Sequence, residues 1–149
     1  MESHETAAIP QQPIDCHEVE QIEHKPKNPA INRLFKATTK MGASDLHLKA
    51  GQPPSFRLKG DIRRSQEPPL STEDIEGMIF EVLTDTQKKF FMDNGAIDFA
   101  HQVPEQDRFR VNAFRQRGMT SVAARRVVKD IRTFEQLHVP EVLKDIAMH

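Results

Sequence analysis

Two short stretches of the chain hold the residue types best suited to chemistry. The first is Ala43-Ser44-Asp45-Leu46-His47-Leu48, which sets a hydroxyl, a carboxylate and an imidazole within four positions. Those are the ingredients of a nucleophilic triad, but triad members must converge on one substrate in a cleft. Neighbours in an extended strand alternate faces, so Ser44 is expected to point away from Asp45. Asp45 and His47, two apart, share a face and read as a hydrogen-bonded structural pair at an edge or interface. The second stretch, Asp107 to Gly118, interleaves Arg108, Arg110, Arg115 and Arg117 with Phe109 and Phe114. As a strand it would carry Arg108, Arg110, Asn112 and Phe114 on one face and Phe109, Val111 and Ala113 on the other. Arg125 and Arg126 follow shortly after. Residue types alone leave three readings open for this basic region. One is a solvated face paired with nearby carboxylates, and another is a phosphate or nucleotide contact, for which planar guanidinium forks are suited. The third is RNA binding through arginine and aromatic stacking.

Other chemistries lack their signatures. The chain contains no G-x-x-x-x-G-K-[ST] phosphate loop, no G-x-S-x-G and no HExxH. His4, Cys16, His17 and His24 match no zinc spacing, so no metal site is assigned. Glu73, Asp74 and Asp98 read as capping or solvated carboxylates.

The elements that must position these residues follow from pattern. Residues 1–29 carry two lysines against six carboxylates, with Pro10, Pro13, Pro26 and Pro29 and few large apolar groups. Such a segment cannot offset its chain entropy by burial, and it is expected to be a flexible acidic tail. The other 120 residues carry 19 basic and 16 acidic groups. This near-balance speaks against a nucleic-acid binder, which relies on neutralising phosphate charge. An apolar fraction of 37%, a single cysteine and no long apolar run predict a soluble, cytoplasmic chain without membrane insertion.

Ile31, Leu34, Phe35, Thr38 and Met41 fall at helical spacing and Gly42 stops the run. A strand over Ser44–Leu48 follows, then a hairpin in which Phe56 and Leu58 turn through Lys59-Gly60-Asp61 into Ile62-Arg63. Ser71 with Asp74 opens a second helix whose buried stripe is Ile75, Met78, Ile79 and Val82. A third helix runs from Thr84-Asp85 to Asn94-Gly95, with Phe90 and Phe91 as anchors. Three strands, 96–103, 108–117 and 119–128, form an antiparallel meander. Helical spacing returns at Phe134, Leu137, Val142, Leu143 and Ile146, interrupted by Pro140. The fold class predicted is α+β, a mostly antiparallel sheet covered by helices over 30–130, with 131–149 as a linker and helix.

Both stretches also carry a family resemblance. "GASDLHLKAGQPPSFRLKGDIRR" (Gly42 to Arg64) and "DRFRVNAFRQRGMTSVAARRV" (Asp107 to Val127) resemble the N-terminal domain of PilT-type ATPases, motors of type IV pilus retraction. Pilus-extension and type II secretion ATPases are broader relatives, and a stand-alone PAS-like ligand-binding or interaction module is the alternative from another class. The resemblance implies a PAS-like fold, followed in the family by a RecA-like domain that carries the phosphate loop. It also implies a homohexamer, in which the N-terminal domain closes over nucleotide held by its own or a neighbour's RecA-like domain. ATP and Mg²⁺ would belong to the full-length protein and none to this chain alone. An inner-membrane platform protein would be an indirect partner. Arg110 and Arg125 are the best matches to the family's phosphate-contacting arginines, with Arg108, Arg115, Arg117 and Arg126 second. The sequence stops at His149, before the expected phosphate loop, so it is expected to be half of a composite site and inactive alone. The tail over 1–29 has no match in the family.

Overall fold

The structure, a computed structural model, describes residues 27–140 and 142–148. Most of the acidic tail, including His4, Cys16, His17 and His24, lies outside the described residues. Helix α1 (Ile31–Lys40) buries Ile31, Leu34, Phe35 and Thr38 and ends where Gly42 adopts a φ of +68°. Strands β1 (Asp45–Lys49), β2 (Ser55–Leu58) and β3 (Asp61–Arg64) follow. Helix α2 (Thr72–Phe80) starts on a reciprocal capping box, Ser71 accepting from the Asp74 amide while the Asp74 carboxylate accepts from the Ser71 amide. Helix α3 (Asp85–Asn94) starts on a second box, Thr84 with Gln87, and ends on Gly95 in the left-handed region. Strands β4 (Ala96–Gln102), β5 (Arg108–Gln116) and β6 (Met119–Val127) form the meander, and a short α4 (Val142–Ala147) follows it.

The six strands make one sheet in the order β3-β2-β1-β6-β5-β4, antiparallel at every junction. The α+β class is therefore as expected. Helices α1, α2 and α3 pack on one face, where Leu46, Leu48, Phe109, Val111, Ala113, Val122 and Ala124 meet Ile31, Phe35, Ile75, Ile79 and Phe91. Phe35 of α1 stacks on Phe109 of β5 with ring centroids 4.3 Å apart, which ties the first helix to the meander.

Two expectations need correction. Phe91 is fully buried and Phe90 is 53% exposed, because consecutive residues on a helix point about 100° apart and α3 offers the core only one face. Strand β1 is not an edge; it lies between β2 and β6, so Asp45 lies opposite an arginine of each neighbour.

The candidate anion-binding face

The meander's register is set by its second turn. Arg117 and Gly118 both adopt positive φ, 53° and 74°, the two-residue type I′ geometry whose twist suits an antiparallel hairpin. Counting back from that turn pairs Arg110 with Arg125 across β5 and β6. Side chains directly opposite in an antiparallel pair lie about 5 Å apart at Cβ and share a face. That face is the one turned away from the helices, and both arginine side chains are 75% exposed.

Register extends the arginine pair into a row that crosses the sheet. Ala100 of β4 lies opposite Arg110, Asp45 of β1 lies opposite Arg125, and Arg57 of β2 lies opposite Asp45. The adjacent row on the same face reads Asp98, Asn112, Ala123, His47 and Ser55. Ala123 has no bulk to fill its place between Asn112 and His47. The result is a shallow depression of about 340 Å³ lined by Asp45, His47, Asp98, Arg110, Asn112 and Arg125. A second depression of about 360 Å³, lined by Ala100, Arg108 and Val127, shares Asp98 and Arg110 with the first.

Carboxylates hold the arginines from below. Arg125 donates from Nε to Asp45 Oδ1 at 2.9 Å, and the Arg57 Nε lies 3.5 Å from Asp45 Oδ2. Ser44 donates its hydroxyl to Asp45 Oδ2 at 2.7 Å, so the expectation that Ser44 points away from Asp45 is corrected. Ser44 precedes the strand, where strict alternation has not begun. Burial raises the Asp45 pKa, but the bonds from Ser44 and Arg125 and the positive charge of Arg125 outweigh it, and the carboxyl is held below its ordinary value. The expected Asp45–His47 pair is thus replaced by a Ser44–Asp45–Arg125 cluster, with His47 beside it. His47 Nε2 is buried without a hydrogen-bond partner among the described residues. On the far side Asp98 lies 3.5 Å from the Arg110 Nε and accepts from Asn112 at 3.1 Å. Asp98, read from sequence as a solvated or capping carboxylate, is the Arg110 partner.

The other arginines do not converge on this face in the same way. Arg108 shares it, one row beyond Arg110 and opposite Val127. Arg115 points to the helix side, where its Nε donates to Glu76 at 2.8 Å and its guanidinium lies 5.0 Å from the Phe91 ring. Arg126 lies 2.7 Å from Asp107 and donates to the Ala43 carbonyl. Arg117 belongs to the turn.

Fold and site define the class, an antiparallel α+β domain that presents paired, carboxylate-anchored arginines on an open sheet face. No protein-family profile matches the chain. The type IV pilus retraction ATPase PilT of Pseudomonas aeruginosa is 39% identical over 117 residues, 78% of this chain and 34% of that protein. The same organism's type IV pilus ATPase PilU is 34% identical over 79% of this chain and 31% of its own length. Among solved structures, the pilus retraction motor PilT with bound ADP superposes with a TM-score of 0.70 at 32% identity. That match covers 80% of this chain and 35% of the other. The ATPase DotB of Legionella pneumophila shares the fold, with a TM-score of 0.64 at 16% identity over 81% of this chain and 37% of its own. The chain spans about a third of the length of these relatives, and over that span it is similar to an N-terminal PilT-type domain. Among the described residues no helix is long and apolar enough to cross a membrane.

Proposed function

We propose that this chain is the N-terminal assembly and regulatory domain of a hexameric pilus retraction ATPase, and that Arg110 and Arg125 reach the phosphates of a nucleotide shared with a RecA-like domain. The observation that carries this reading is the cross-strand pairing of two exposed arginines on the open face. Two guanidiniums opposite each other repel; the flanking carboxylates offset part of that repulsion, and an anion between the two forks would offset the rest. Their planar forks match phosphoryl oxygens and stabilise charge that develops during transfer. The likeness to a retraction motor whose structure holds ADP supports a nucleotide as that anion. In this reading Mg²⁺ accompanies the ATP and is held by the phosphates and the RecA-like domain. The domain works in the cytoplasm at the inner membrane, its immediate partners are neighbouring subunits, and the platform protein is reached indirectly.

The test is turnover in the full-length protein. Arg110→Ala and Arg125→Ala should each lower ATP hydrolysis by roughly 10³-fold, the scale on which a phosphate-stabilising arginine acts. The melting temperature should hold within a few degrees, because both side chains are exposed. Unchanged turnover in both variants rejects the assignment. The chain alone should show no hydrolysis above buffer, since it carries no phosphate loop.

A further inference from the structure

We infer that Asp45 is a positioning residue for Arg125. It holds the guanidinium by its Nε so that the two terminal nitrogens are aimed at the anion that Arg125 shares with Arg110. The inference rests on the proposed nucleotide contact and names a further residue within it. Asp45 is 6% exposed and sits between β2 and β6, with Oδ1 facing the Arg125 Nε and Oδ2 taking the Ser44 hydroxyl and facing the Arg57 Nε. A carboxylate held from three directions cannot swing, so the direction of its bond to Arg125 is fixed by the sheet.

Binding through Nε has a particular consequence. An arginine fork offers five N–H donors in one plane. Once Nε is bound to Asp45, the plane of the fork is set while its terminal nitrogens stay free for an outside ligand. A long, flexible side chain is thereby ordered before the anion arrives. The negative charge also lets Arg125 stand directly opposite Arg110, which has Asp98 on its own far side. Without Asp45, repulsion from Arg110 and Arg57 would turn the Arg125 fork away, and a misplacement of about 1 Å at a reacting group costs on the order of 10²-fold.

A double-mutant cycle in the full-length protein tests this, with Asp45→Asn chosen because it keeps the shape and removes the charge. Asp45→Asn should lower kcat by about 10- to 100-fold with a smaller change in KM. In an Arg125→Ala background the same substitution should change kcat by less than about twofold, since it then has nothing to position. Equal losses in both backgrounds, or no loss in the parent, overturn the positioning role while leaving Arg125 in the site. Unchanged turnover in Arg125→Ala overturns the nucleotide contact, and the inference with it. A readout independent of turnover uses the 149-residue chain itself. The Arg125 Nε–Hε resonance should be resolved and protected from exchange in the parent, and exchange-broadened in Asp45→Asn, while the backbone spectrum away from β1 and β6 is unchanged. An identical Nε–Hε resonance in the two proteins rejects the inference.

Discussion

A guanidinium is useful to phosphate only where it is exposed, and only where something else neutralises it in the absence of ligand. Arg110 and Arg125 meet both conditions; Arg115 is neutralised by Glu76 but turned to the helix side, and it serves the fold. Its Nε donates to Glu76 at 2.8 Å, and the Thr120 hydroxyl donates to the same oxygen. The Arg115 bond is the main reason the Glu76 carboxyl is held below its ordinary value of 4.5, against the opposing effect of burial. The Arg115 guanidinium is correspondingly pushed up by the Glu76 bond. A carboxyl whose pKa is lower folded than unfolded contributes stability that is present above the unfolded value and lost as pH falls through the folded one. Glu76→Gln should therefore destabilise the domain by about 1 to 3 kcal/mol at pH 7. The gap between the two proteins should shrink as pH falls below 4.5, as measured by urea denaturation across pH. A gap that is constant from pH 7 to pH 3 would contradict the ion pair as its source.

At the scale of elements, α3 separates what a helix contributes to the core from what it merely carries. Phe91 is fully buried and lies near Phe80 and the Arg115 guanidinium, whereas the adjacent Phe90 faces solvent. Phe91→Ala should cost about 3 to 5 kcal/mol by chemical denaturation, and Phe90→Ala should stay within about 0.5 kcal/mol. The N-terminal cap makes a separate contribution. Thr84 accepts from the Gln87 amide while Gln87 accepts from the Thr84 amide, and Thr84→Ala should cost about 1 kcal/mol. Comparable losses from Phe90→Ala and Phe91→Ala would mean that α3 packs differently.

For the whole molecule, the core is complete within α1 to β6. Beyond it Ile131, Leu137, Val142, Ile146 and Met148 are exposed, Ile131 at 95%. Removing residues 131–149 should leave the folding stability within about 0.5 kcal/mol, because little apolar surface is uncovered. It should also reduce self-association, because exposed apolar side chains favour it. Thermal melting and gel filtration of the shortened chain check both outcomes. A large drop in melting temperature would show that this segment is part of the core.

What the sequence determined by itself was local. Capping residues, apolar spacing and turn residues located the helices and the strands of the sheet, and a hairpin joined near Gly118 puts Arg110 and Arg125 side by side. Hairpin register propagates from its turn one residue at a time, so it can be counted along the chain. The tertiary structure decided the rest. Asp45 and Arg125 are 80 residues apart, and they meet because β1 inserts between β2 and β6. A pairing of that range depends on how the whole sheet closes over its core, and no short-range pattern encodes it. The same closure placed Arg115 against Glu76, made Asp98 the partner of Arg110, and turned Phe90 to solvent. The arginine pair was legible because a turn made it; the carboxylate that holds it was not, because the fold made that.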